Sequence, residues 1–258
     1  MSVSEFDLTG KVAVITGAGR GLGKAMAIGL ASCGASVVLG ARSAKEIEAV
    51  AESCRARKAK ALAIQTDIRD STACDRLIDE AVRAFGKVDI VVCNAAAGIH
   101  GPAADMPDDD WSRVIATSLT GYFNIARSAG RQMIRQGRGG SIIAISANSS
   151  EVGYAELTAA ASAKGGVDQL CRNLAVEWGG HSIRVNSINP GYTDHVPSYG
   201  DVSPGAGDDL DDGVRVMTPL GRRGRVSEFV WPVVFLASDA SSYITGVNLR
   251  IDGGYAIK

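Results

Sequence analysis

The sequence predicts a single α/β domain over residues 1–258: a doubly wound, seven-stranded parallel sheet with helices on both faces. Three observations predict it. Apolar runs of strand length alternate with segments of helical period along the whole chain. The strand runs are continuously apolar, as strands covered on both faces must be. A glycine-rich turn, TGAGRGLG (16–23), joins the first strand to the first helix.

KVAVIT (11–16) is a β-branched run, followed by GLGKAMAIGLASCG (21–34), which is apolar at helical spacing and closes on glycine. SVVLG (36–40) forms the second strand and 44–58 the next helix. ALAIQ (61–65) is the third strand, and CDRLIDEAVRAFG (74–86) is a helix that glycine stops. VDIVVC (88–93) is the fourth strand, with helices near 108–116 and 118–136. SIIAIS (141–146), a helix over 157–178, IRVNSIN (183–189), a helix near 227–237 and VNLRI (247–251) complete the order. Right-handed crossovers place the ligand crevice at the carboxyl ends of such strands. One insertion, about 194–216, is rich in Gly, Pro, Ser and Asp and reads as a lid over the substrate. There is no internal repeat.

Hydrophobic residues make up 46% of the 258, enough for a substantial core. The formal charge is −1, with 27 basic and 28 acidic residues, which argues against a nucleic-acid or membrane-surface partner. No apolar run reaches the roughly 20 residues of a membrane helix, and MSVSEFDLTGK carries no apolar signal core. The five cysteines (33, 54, 74, 93 and 171) are odd in number and form no CxxC pair. They read as small buried side chains in a reduced cytoplasm, with no disulfide framework and no metal site.

In the glycine-rich turn, Gly17, Gly21 and Gly23 allow tight turning, close backbone approach and close helix packing. With Gly19, Arg20 and Leu22 they form a loop whose following helix aims free amides and a positive dipole end at a pyrophosphate. A mere tight turn would not need this placement between strand and helix. The second strand ends Gly40-Ala41-Arg42-Ser43, without the acid that would hold the 2′-hydroxyl of NAD. Arg42, beside Ser43, can fork onto a 2′-phosphate, and Arg20 adds a second positive charge. NADP(H) is therefore favoured, with NAD(H) as the alternative.

TGAGRGLG (16–23), TDI (66–68), CNAAAG (93–98), the lysine segment around Lys164 and NPGYTD (189–194) occur in that order. With them the chain resembles the short-chain dehydrogenase/reductases from end to end. Within that family it is similar to gluconate 5-dehydrogenase-like and 3-oxoacyl-carrier-protein reductase-like members. The resemblance implies a Rossmann-type fold, with Asp67 and Ile68 flanking the adenine. It implies that Asn94, Ala95 and Ala96 line the cofactor, that Lys164 touches it, and that Pro190, Gly191, Tyr192 and Thr193 lie against the nicotinamide. It also implies a homotetramer held by the helices around 118–136 and 157–178 and by the C-terminal strand.

The family's catalytic group is a tyrosine, a lysine four residues later, a serine after the fifth strand and an asparagine on the helix after the fourth. Hydride moves between nicotinamide and a carbinol carbon, so a proton must move on the oxygen. A phenol of pKa about 10 is a poor base at neutral pH, and a lysine one helical turn away favours its ionised form. In this chain Lys164 fits the lysine, which puts Ala160 at the tyrosine position. Ala147 stands at the serine position and Ser118 at the asparagine position. Ser146 is one residue from Ala147, so in an extended strand it faces the other side. Tyr154 precedes the helix and could lean into the pocket as a wall or as a replacement acid.

Two explanations for the alanines stand side by side. In one, the chain is a catalytic knockout of an active enzyme. In the other, it is a natural dinucleotide-binding sensor or scaffold without catalysis. A protein that binds no nucleotide would leave the glycine loop without a task. The expected function is interconversion of a secondary alcohol and a ketone on a small polar substrate: a polyol, a sugar acid or an oxoacyl compound. Asn148, Ser149, Tyr154, Tyr192 and His195 are the expected pocket residues, with His100 a further candidate.

Overall fold

Each continuously apolar run becomes a strand, because its odd and even residues both find cover. The computed structural model describes residues 4–194 and 213–258. It contains β1 (Val12–Thr16), β2 (Ser36–Ala41), β3 (Ala61–Gln65), β4 (Ile90–Cys93), β5 (Gly140–Ile145), β6 (Ile183–Pro190) and β7 (Asn248–Ile251). The strands are all parallel and stand in the order β3-β2-β1-β4-β5-β6-β7. The helices are α1 (Gly21–Ser32), α2 (Ala44–Arg55), α3 (Ser71–Phe85), α4 (Asp108–Ile115), α5 (Gly121–Gln136), α6 (Thr158–Trp178) and α7 (Val230–Ala237).

The two cores show the pleat at work. Ala13, Ile15, Val37, Leu39, Ile90 and Val92 meet Met26 and Leu30 of α1, Ile47 of α2 and Val233 of α7. Their neighbours Val14, Val38, Val91, Ile142 and Ala144 meet Leu77 of α3, Tyr122 and Ile125 of α5 and Val167 of α6. A fully buried side chain of this size contributes about 1.5–3 kcal/mol. The two faces therefore carry the folding energy, and the loops at the strand ends are left to the site.

From β1 the sheet grows outward through β2 to β3, then restarts at β4 on the other side of β1. The connections after β1 and β4 diverge there, opening a crevice at their carboxyl ends. Among the described residues, no helix is long and apolar enough to cross a membrane.

Local chemistry shifts several expected boundaries. The α3 helix starts at Ser71 rather than 74, because the Asp70 carboxylate caps it by accepting from the Thr72 amide at 2.8 Å. It stops at Gly86, in the left-handed region at φ 81°. The fourth strand begins at Ile90, not 88: the Gln136 side chain takes both backbone groups of Val88. A π-helical turn over Ala116–Thr120 joins α4 to α5, so the two expected helices run on as one. The expected loop 194–216 is helical over 213–217, where buried Val214 packs and its carbonyl accepts from the Thr218 amide. Residues 195–212 of that insertion, His195 included, lie outside the described residues. All five cysteines are free thiols; four are buried, but Cys33 is partly exposed at the end of α1, against the expectation that all are buried.

A methyl group on Gly23 would collide with the Gly17 carbonyl oxygen. Gly23→Ala is expected to lower the unfolding free energy by about 1–3 kcal/mol, as overpacking does. Urea unfolding reads this as a lower midpoint at constant slope; an unmoved midpoint would contradict the close packing.

Candidate active site

The carboxyl ends of the strands share one edge of the sheet, and the residues singled out in the sequence, His195 excepted, stand at those ends, in the loops after them or on the helices that follow. Thr16 ends β1, and the chain turns through Gly17 at φ 64° and Gly21 at φ 53° into α1. A side chain on Gly17 would meet Ala95 Cα at 2.7 Å. Arg20 occupies the N-cap position of α1 but makes no side-chain cap, which leaves the first-turn amides without a capping side chain among the described residues. Leu22 anchors the loop on the core under α1.

Asn94 braces this turn. Its side-chain amide donates to the Thr16 carbonyl at 3.1 Å and the Gly17 carbonyl at 3.2 Å. The Thr16 hydroxyl accepts from the Asn94 and Ala95 amides, and Ala96 beyond them is exposed. Along the same edge, Arg42 is exposed and Ser43 caps α2 by accepting from the Glu46 amide. Gly19 lies against the Glu46 side chain. Asp67 is engaged by Arg69, with Nη2 2.5 Å from Oδ2, and this contact holds its carboxyl below the ordinary range. Ile68 is buried against Gly121 at the start of α5, and its carbonyl accepts from Asn124.

Ala147 follows β5 in extended backbone, and Ala160 and Lys164 are neighbours on one face of α6. Ala160 is only 3% exposed and sits in an apolar cluster with Val114, Ala159 and Ala163, rimmed by Ile99, Met106 and Leu157. Ser118 is fully buried in the π-helical turn, where its hydroxyl donates to the Ala97 carbonyl at 2.8 Å and accepts from the Ala97 amide at 2.9 Å. Ser146 turns its hydroxyl to the Lys164 carbonyl, and Ser150 donates to the Ala147 carbonyl. Ser150 also accepts from the Asn189 side-chain amide at 2.9 Å.

Lys164 is buried, with Nζ donating to the Ile145 carbonyl at 2.6 Å and to the Tyr122 hydroxyl at 3.1 Å. Burial pulls its pKa down to about 8, partly offset by Asp168 one turn along α6.

On the substrate side, Asn148 donates to the Tyr154 hydroxyl at 2.7 Å. Tyr154 stacks on Tyr255 with centroids 5.5 Å apart, and Tyr192 meets both edge-on. The Arg223 guanidinium lies 5.6 Å from the Tyr192 ring centroid. Burial raises the pKa of Tyr154 and Tyr192, so both stay protonated donors at neutral pH. Pro190 is buried at the end of β6; the Gly191 amide donates to Ile251, and Thr193 bridges to Gly224. Ser149 is partly buried beside Asn148, and His100 is exposed. Among the described residues no three His, Cys, Asp or Glu side chains gather as metal ligands.

Sequence reasoning missed Tyr122, Tyr255 and Arg223. Tyr122 reads as one more apolar position on a core helix, and Tyr255 falls beyond the last expected strand. Tyr255 is the one aromatic residue among 244–258, so no local pattern pointed to it, and none pointed to Tyr122.

The family model described as enoyl-(acyl carrier protein) reductase matches residues 17–256. An L-rhamnose 1-dehydrogenase (NAD(P)(+)) of Sphingomonas sp. (strain SKA58) is 37% identical over 248 residues, 96% of each chain. A short-chain type dehydrogenase/reductase from Mycobacterium marinum superposes with a TM-score of 0.92 at 36% identity, covering 98% of each chain. A gluconate 5-dehydrogenase from Burkholderia cenocepacia J2315, solved with NADP and tartrate, superposes with a TM-score of 0.93 at 32% identity over 100% of each chain. With a matching model over nearly its whole length and relatives of this similarity, the chain belongs to the short-chain dehydrogenase/reductase family.

Proposed function

We propose that the chain binds NADP(H) along the carboxyl edge of its sheet, in a scaffold built to interconvert a secondary alcohol and a ketone, and that turnover is disabled at Ala147 and Ala160. The observation that carries the reading is the turn between β1 and α1. A Cβ at Gly17 or Gly23 would strike backbone atoms, and the helix end behind it has no side-chain cap. Such a cradle suits a pyrophosphate, whose charge the amide dipoles stabilise. Gly17, Gly19, Gly21 and Leu22 would surround it, Arg20, Arg42 and Ser43 would hold the 2′-phosphate, and Asn94–Ala96 and Pro190–Thr193 would flank the nicotinamide half. The dinucleotide supplies hydride transfer.

What this chain's own residues do is orient and enclose. Lys164 contributes a buried cation, and the Tyr154, Tyr192 and Asn148 group offers hydrogen bonds and ring faces to a hydroxylated substrate. No side chain at 147 or 160 can give or take a proton, since both are alanine. The dehydrogenases of L-rhamnose and gluconate among its relatives support a polyol or sugar-acid substrate class. A second reading, a sensor or scaffold that binds dinucleotide without turnover, is favoured by the apolar enclosure of Ala160. Exposed Phe123 on α5, Val176 on α6 and Val247 before β7 support subunit contact through these elements in a homotetramer. A cytoplasmic location fits the five free thiols.

Fluorescence titration should show saturable NADPH binding, tighter than NADH. Arg42→Ala should weaken NADPH by about tenfold and leave NADH nearly unchanged, as loss of a charge-assisted bond implies; equal effects on both would contradict the assignment of Arg42. Ala147→Ser with Ala160→Tyr should raise turnover of polyols or sugar acids by about 10²–10⁴-fold, the usual weight of acid–base catalysis. A restored chain that binds NADPH but turns over none of a broad panel would favour the sensor or scaffold. Light scattering should return the mass of four chains, and a single-chain mass would rule out the tetramer.

A further inference from the structure

We propose that Tyr122 is a positioning residue for Lys164: its hydroxyl and the Ile145 carbonyl together hold the lysine ammonium inside the protein, and so decide whether that cation can serve a hydroxyl in the crevice. Tyr122 stands on α5, 42 positions from Lys164, and both side chains are buried, at 1% and 2% exposure. A buried phenol and a buried ammonium are each costly unless hydrogen-bonded. Here they satisfy one another. Lys164 Nζ donates to the Tyr122 hydroxyl, which donates onward to the Ile145 carbonyl at 2.8 Å, and Nζ donates to that same carbonyl. Nζ also lies 4.6 Å from the centroid of the Tyr122 ring, within cation–π range. The three groups close a triangle at the end of β5, next to Ala147.

The titratable neighbours of Lys164 are few. Asp168 and Cys171 lie on its own helix and Cys93 comes from β4, while Tyr122 faces it from α5. Asp168 turns one oxygen to Asn189 at 3.0 Å, and its other oxygen has no hydrogen-bond partner, so it does not hold the ammonium directly. Ser146 reaches the Lys164 carbonyl and not Nζ. Of the side chains, Tyr122 alone therefore accepts from Nζ among the hydrogen bonds of the described residues. A phenol introduced at 160 would have to compete with it for the same cation.

The full chain, labelled with [ε-¹³C]lysine and without cofactor, tests this by NMR titration, the Lys164 signal being identified by its loss in Lys164→Met. In the parent the amine should titrate below the ordinary lysine range. Tyr122→Phe keeps the ring and removes the acceptor, so the Lys164 pKa should fall further, by about one unit. If Tyr122 only fills space, loosening hydrates the amine and its pKa rises or stays where it was; either result overturns the proposal. A second arm rests on the proposed function. In the Ala147→Ser, Ala160→Tyr background, Tyr122→Phe should release the cation to the new phenol, raising kcat for alcohol oxidation about tenfold at unchanged KM and moving the acidic limb of the pH profile, set by ionisation of the phenol, to lower pH. An unmoved kcat in an active restored chain would also overturn it. A restored chain inactive with either residue at 122 counts against the proposed function, and the titration then decides on Tyr122 alone.

Discussion

A parallel sheet sends every strand the same way, so each crossover must return to the starting edge before the next strand begins. In this chain that constraint gathers Thr16, Ala41, Cys93, Ile145 and Pro190 on a single edge. The break in strand order between β1 and β4 then parts the loops above them. The glycine turn, the asparagine brace, Lys164 and the tyrosine group occupy one edge because of this geometry. The two apolar faces make it rigid: moving a strand by one residue would exchange its buried sets between the cores.

On that edge the crevice has two unlike halves. The half over β1 and β2 is largely backbone, with Arg20, Arg42 and Glu46 around it and glycines where a Cβ would strike Ala95 or Gly17. The half over β5 and β6 is aromatic and hydroxylated, with three tyrosine rings in mutual contact. Between them stand Ala147, Ala160 and the buried ammonium of Lys164. Polar groups there are satisfied inwardly: Ser118 by Ala97, Ser146 by Lys164, and Lys164 by Tyr122 and Ile145.

The π-helical turn at Ser118 belongs to the same picture. A π turn in a long helix costs regular hydrogen bonding and is kept where a local partner compensates. Here Ser118 bonds both backbone groups of Ala97, tying the α4–α5 helix to the loop after β4. The two helical segments look separate in the sequence, because periodicity drifts across the turn. In space they run on as one helix, held to that loop at Ser118.

The order of strands and helices, the glycine turn and the absence of an acid after β2 were legible in the sequence. Each is a local pattern: a run, a spacing or a motif read within a dozen residues. The alanines at 147 and 160 were legible too, since fixed spacing from Lys164 locates them. The start of α3 and the end of the 194–216 insertion were misread by a few residues, because an Asp70 cap and one buried valine outweigh composition there. What only the tertiary structure decided is which distant groups meet. Asn94 reaches back 78 positions to Thr16, Tyr255 stacks on Tyr154, and Tyr122 takes the ammonium of Lys164. No period or motif records such meetings, because they follow from how crossovers bring remote strand ends and helix faces to one edge.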